Sequence, residues 1–272
     1  MKRKILCLTL CFVFLCSCTF VQASAATSTD TYSELITDVL DRYESGNSSA
    51  SSAIQQQVNG AYRLVELFAL IAMKNTSSTE VMDLISGVLD DWETYDKSAS
   101  GAEQQLVNGT YRCVELLTII AMEMDSANRF SDLISSVLDD FNSGNQSASS
   151  APQQVVNGLY RCVDLLTVIA MENSISSSQT ELAQSIYDSF IENNKTCSGA
   201  PQQQVNGAYR MFELLYLISM ELDYTGNWND FTSSILSDYE TFNSNASGAP
   251  QQLVNGLYRS VEISAVIAYE VN

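Results

Sequence analysis

Gln55-Gln56-Gln57-Val58-Asn59-Gly60-Ala61-Tyr62-Arg63-Leu64-Val65-Glu66 is the stretch that decides the fold. Its Val-Asn-Gly-x-Tyr-Arg centre returns around Asn108, Asn157, Asn206 and Asn255, each copy 49 residues after the last, with no insertion breaking the register. A fixed period of this size marks a tandem array whose units bury their apolar faces only against one another.

The third copy shows the unit. Phe130, Leu133, Ile134, Val137, Leu138 and Phe141 are apolar at helical spacing, with Asp132, Asp139 and Asp140 between them. That pattern predicts an amphipathic helix of about fourteen residues. Ser143-Gly144-Asn145 is expected to end it, and Ser147-Ala148-Ser149-Ser150 reads as a polar loop. A second helix then starts with Ser150 as N-cap, Gln153 as its capping-box partner and Pro152 in the first turn, where a missing N–H costs little. Val163 to Met171 is apolar nearly all round, so this helix is expected to be buried on most sides. The long helices are expected over about 52–74, 101–123, 150–172, 199–221 and 248–270, with Ser52, Gly101, Ser150, Gly199 and Gly248 as N-caps. No sustained alternation of apolar and polar residues signals a strand.

The expected fold is therefore all-α, with five 49-residue helical hairpins at 32–80, 81–129, 130–178, 179–227 and 228–272. An open α-solenoid-like array is expected because the last copy reads as a cap. Ser260 stands where the inner copies have Leu64, Cys113, Cys162 and Met211, and Ser264 where they have Phe68, Leu117, Leu166 and Leu215. Two serines four apart share one helix face, which would meet water at the end of a stack. The two-helix unit resembles tetratricopeptide and HEAT-like repeats in architecture alone. Its period is longer and their signature residues are absent.

Ahead of the repeats, Lys2, Arg3 and Lys4 precede an apolar run from Ile5 to Phe20, and Ala23-Ser24-Ala25 is a small-x-small cleavage site. Residues 1–25 read as a secretory signal, with 26–31 a short linker. Leu15-Cys16-Ser17-Cys18 is similar to a bacterial lipobox, which makes a lipid anchor at Cys18 the second reading. The expected location is secreted or cell-envelope, on the extracellular side, with no transmembrane span. Beyond the leader three cysteines remain, Cys113, Cys162 and Cys197, an odd number that argues against a disulfide framework. Cys113 and Cys162 occupy one repeat position and read as small buried apolar residues.

The chain carries 13 Lys and Arg against 32 acids, for a net charge of −19. Removing the leader takes away three cations and no acid, giving −22. That balance repels nucleic acid and anionic membrane and favours cationic partners.

Each long helix carries a polar stripe that recurs in all copies: Asn59, Arg63 and Glu66; Asn108, Arg112 and Glu115; Asn157, Arg161 and Asp164; Asn206, Arg210 and Glu213; Asn255, Arg259 and Glu262. Two glutamines precede each set, and all fall within about a third of the helix circumference. The stripe reads first as a ladder between hairpins. In that reading each arginine pairs with its own acid and with that of the next copy, and the amides satisfy the preceding loop. As a binding groove, it would take one unit of an extended polymer per repeat, with Tyr62, Tyr111, Tyr160, Tyr209 and Tyr258 available to stack on sugars. A helix-interior glycine costs about 1 kcal/mol against alanine, so five of them, starting at Gly60, imply close backbone approach.

There is no histidine, which removes Ser-His and Cys-His catalysis and most zinc sites. No phosphate-binding glycine loop is present. Asp140, Asn142 and Gly144 form only a defective calcium loop, with the glycine one place early. No catalytic residue, cofactor or metal is expected. The expected function is an exported acidic helical-repeat scaffold that binds a macromolecule, either a cationic protein or a glycan. The alternative is a hydrolytic or glycan-active enzyme on a closed α/α toroid.

Overall fold

The computed structural model describes residues 29–223, 226 and 228–272. The leader and Cys18 lie outside the described residues, as do residues 26–28 of the expected linker. Among the described residues there are ten helices and no strand. Five shorter or more polar helices are α1 (Thr29–Ser49), α3 (Thr79–Ser98), α5 (Ser131–Ser147), α7 (Ser177–Thr196) and α9 (Asn229–Asn245). They alternate with α2 (Ala53–Asn75), α4 (Ala102–Met124), α6 (Ala151–Asn173), α8 (Ala200–Leu222) and α10 (Ala249–Glu270). The first helix begins inside the span read as linker.

Burial separates two layers. Helix α3 buries Ile85, Leu89 and Trp92 alone, whereas α4 is buried from Leu106 through Ala121 on most of its faces. The all-round apolar second half of each long helix puts it in an inner layer, and the one-sided pattern puts each short helix outside.

The inner helices pack in chain order, α2 on α4, α4 on α6, α6 on α8 and α8 on α10. Helix α10 then packs on α2 nearly as extensively, and also touches α1. The array is a closed ring, which corrects the expectation of an open stack. Three contacts carry the closure. The Leu257 Cβ lies 3.1 Å from the position a Cβ on Gly60 would take. Gln57 Nε2 donates to the Pro250 carbonyl at 3.0 Å. Tyr258 packs edge-on against Tyr43 with ring centroids 4.8 Å apart.

The serines that suggested a cap are fully buried. Ser260 Oγ donates to the Gly256 carbonyl at 2.8 Å, and Ser264 Oγ is buried without a partner. Ring closure gives repeat 5 a neighbour on both sides, so it has no free end at which these serines would meet water. Both serine positions are buried in all five repeats, so the middle of the ring is packed with side chains.

All five expected N-caps precede their helices as read. None caps through its own side chain, so the expected Ser150 box does not form. In repeats 1 and 4 a glutamine does the work. Gln55 Oε1 accepts from Ser51 N–H at 2.8 Å and Ser51 Oγ at 2.9 Å, and Gln202 does the same for Ser198. Helix α5 runs past Ser143-Gly144-Asn145 to Ser147. Ser147 Oγ bonds back to the Gly144 carbonyl, and Gly144 sits against the Asn157 side chain, so tertiary contact overrides the local breaker.

Candidate functional site

The recurring stripe faces the outer helix of its own repeat. Each asparagine donates through Nδ2 to a carbonyl sixteen residues earlier: Asn59 to Tyr43, Asn108 to Trp92, Asn157 to Phe141, Asn206 to Phe190 and Asn255 to Tyr239, at 2.8–3.0 Å. The asparagines therefore clamp inner to outer helix and do not satisfy the preceding loop, as the ladder reading expected.

Each tyrosine ties one repeat to the next. Tyr62 packs edge-on against Trp92, Tyr111 against Phe141, Tyr160 against Phe190 and Tyr209 against Tyr239. Their hydroxyls donate to Asp96, Asn145, Asn194 and Asn243 near the end of the following outer helix. Gln105, Gln154, Gln203 and Gln252 donate to the same four side chains from within that repeat. These rings are packed between layers and are not free to stack on a sugar. The glycines do what the sequence implied. A Cβ on Gly109, Gly158, Gly207 or Gly256 would come within 2.6–3.0 Å of a side chain in the preceding repeat.

Each arginine pairs with the acid three residues on: Arg63–Glu66 at 3.0 Å, Arg112–Glu115 at 2.6 Å, Arg161–Asp164 at 3.1 Å, Arg259–Glu262 at 2.6 Å, and Arg210–Glu213. The second partner is not the next copy's acid but one on the same repeat's outer helix, Asp91, Asp140 or Asp238 at 3.2–3.4 Å. In repeat 1 that position is Arg42, which bonds Glu66 instead at 2.5 Å. The inter-repeat ladder is thus corrected to an intra-repeat clamp. The i,i+3 spacing puts each arginine within reach of the acid on its own helix.

Burial sets the electrostatics. It raises Glu66, Glu115, Glu213 and Glu262 above the ordinary carboxylate range against the opposing pull of their arginines, and carries Asp164 to about 6. Cys113, Cys162 and Cys197 are free, and burial pushes the first two thiols up, which leaves them inert.

A hollow of about 510 Å³ lies among the N-termini of α2, α4, α8 and α10. It is lined by Gln57, Gln104, Gln204, Pro201, Pro250 and one carboxylate, Glu103, among others. Gln57 and Gln204 are engaged with the carbonyls of Pro250 and Pro152. A smaller hollow in repeat 3 is lined by Gly144, Asn157 and Tyr160 and has no acid. No group of three or more potential metal ligands occurs among the described residues, and no helix among them is long and apolar enough to cross a membrane.

Comparison with protein-family models, with characterised proteins and with solved structures finds no match for this chain.

Sequence reading missed a feature of the outer layer. Leu84, Leu133, Leu182 and Phe231 occupy one repeat position and are about half exposed. Leu133 had been counted with the core face. Their helical spacing matches the buried residues beside them, and only the angle at which the outer helix lies on the inner layer turns them outward. The one available signal is that the position stays large and apolar in all five copies, Leu35 included.

Proposed function

We propose that this protein is an exported, non-enzymatic binding module, an acidic helical ring that presents its rim and faces to a cationic macromolecule. The observation that carries this reading is the hollow among the inner-helix N-termini, whose wall holds a single carboxylate, Glu103, among amides, prolines and small residues. Glycoside hydrolysis uses two carboxyl groups in unlike environments about 5–9 Å apart. The recurring Asn, Tyr and Arg side chains are consumed in holding helices together and offer no free constellation. With the net charge of −19, the surface favours a basic protein over nucleic acid or anionic membrane.

Closure of the ring is the one observation that speaks for the alternative, a hydrolytic or glycan-active enzyme on a toroid. A direct comparison separates the two. Purified protein is titrated against a panel of basic proteins and neutral and acidic glycans over a salt series, and is assayed in parallel on chromogenic glycosides and esters. Salt-sensitive binding to basic proteins without turnover supports the module. Turnover abolished by Glu103→Gln would establish the enzyme.

A further inference from the structure

Five inner helices end on the face of the ring opposite the hollow, and at the position shared by Lys74, Glu123, Glu172, Glu221 and Glu270 only Glu221, the penultimate residue of α8, is fully buried. One repeat earlier, Glu172 receives Arg129, whose Nη2 and Nε lie 2.9 and 3.1 Å from Oε1. In repeat 1 the position is Lys74, lying over the Tyr32 ring 4.4 Å from its centroid. Among the described residues Glu221 is paired with no cation. Ser174 Oγ donates to Oε1 at 3.1 Å, while Oε2 is buried without a partner. The residue 49 after Arg129 is Ser178, whose hydroxyl is engaged with Ser176. Glu221 is 2% exposed, and burial raises its carboxyl to about 7. A buried half-paired carboxyl is a standing cost.

Large apolar side chains next to Glu221 and its contacts in the chain are exposed. Ile175, next to Ser174 in the connector, is 71% exposed. Met220, next to Glu221, is 43% exposed, and its sulfur lies 3.9 Å from Thr232 Oγ1 at the start of α9. Phe231, beside that threonine, is 48% exposed. Charge is lopsided as well, since no lysine or arginine lies between Arg210 and Arg259 while Glu221, Asp223 and Asp230 do. A buried acid with one unpartnered oxygen, beside exposed apolar residues on the same corner, is the complement of a cation flanked by apolar side chains.

We propose that this corner of the ring is the docking surface for a basic protein segment. An arginine or lysine of the partner takes Glu221, as Arg129 takes Glu172, and flanking apolar side chains pack on Ile175, Met220 and Phe231. The inference rests on the binding-module reading and names its surface and partner chemistry. Cation and carboxyl stabilise each other on docking, which favours the ionised form of Glu221.

The test uses purified protein and a labelled synthetic peptide with arginines set between leucines, with a glutamate-for-arginine peptide as control, followed by fluorescence polarisation. Wild type is expected to bind the arginine peptide and not the control. Glu221→Gln, which mimics the protonated carboxyl and leaves packing intact, is expected to weaken binding about tenfold. Ile175→Ser is expected to weaken it several-fold, and Glu270→Gln, on the same face, less than twofold. Equal binding by wild type and Glu221→Gln, or no binding of the arginine peptide at all, overturns the proposal. The parent reading fails separately, by turnover in the substrate assays or by failure to bind any basic protein or glycan. Concentration-dependent dimerisation lost in Ile175→Ser would also overturn it, by assigning the patch to a second copy.

Discussion

Gly60 and Leu257 meet across the seam of the ring, the Leu257 Cβ standing 3.1 Å from where a Gly60 side chain would begin. They are 197 positions apart in sequence, yet the contact copies the one that Gly207 makes with Leu159 at 3.0 Å. The last repeat therefore treats the first as its successor. A cysteine pair at these two positions can meet in a closed ring and in no open stack, the seam needing to open by about half an ångström to reach disulfide spacing. Gly60→Cys with Leu257→Cys is expected to oxidise readily and run faster on a non-reducing gel than on a reducing one. A pair that stays reduced under air would contradict closure.

Enlarging the same contact should strain the ring. Gly60→Leu places a branched side chain where even a Cβ is tight, and is expected to destabilise by about 2–4 kcal/mol. The gain in helix propensity, about 1 kcal/mol, does not offset this. Urea unfolding of the variant beside wild type measures the difference.

Asn108 is a buried clamp, with its Nδ2 2.9 Å from the Trp92 carbonyl. Asn108→Ala is expected to cost about 1–2 kcal/mol and to leave ligand binding unchanged, because the amide faces the outer helix. A change in binding at unaltered stability would return the stripe to the role of a groove.

Arg161 and Asp164 are both mostly buried, at 20% and 13% side-chain exposure, so the pair lies between the wet and dry limits. Arg161→Ala is expected to cost about 1–3 kcal/mol at pH 8. The cost should shrink at pH 5, where Asp164, already raised to about 6 beside its arginine, takes a proton. Melting temperatures at the two pH values decide this, and a loss independent of pH would show that packing of the arginine stem, not charge, is at stake.

Buried carboxyls also set the pH profile of the whole ring. Asp164 at about 6 and Glu221 at about 7 both lie above their unfolded values near 4. The folded state therefore binds more protons than the unfolded one between those limits. Stability is full below about pH 4 for these groups, falls as pH rises towards 7, and is flat above. Glu221→Gln is expected to remove about 1–2 kcal/mol of that fall. Denaturant midpoints at pH 5 and pH 8 test the slope, and a variant with the wild-type difference would sink the assignment.

Much of the architecture was legible in the chain. Periodicity located ten helices, and the five N-cap positions were read correctly, because a cap is a local matter of backbone and neighbouring side chains. The glycines were rightly read as close approaches, since nothing else accounts for five helix-interior glycines. The partners of the stripe were not legible. Arg63 could have turned to its own Glu66, to the neighbouring repeat or to the outer helix, and spacing along one helix says nothing of which helix lies opposite. The exposure of Leu133 escaped for the same reason, as its helical phase is only about 40° from that of the buried Val137.

By itself, then, the sequence determined the all-helical class, the repeat count, the two-layer amphipathicity and the acidic surface, all of which depend on residues near one another in the chain. Tertiary structure alone decided between stack and ring. Ser260 and Ser264 look like an exposed end by composition, yet they are buried. The reason is geometric. Closure depends on the angle by which each repeat is turned on the one before it. That angle accumulates over five interfaces before Leu257 reaches Gly60, and no single repeat encodes it.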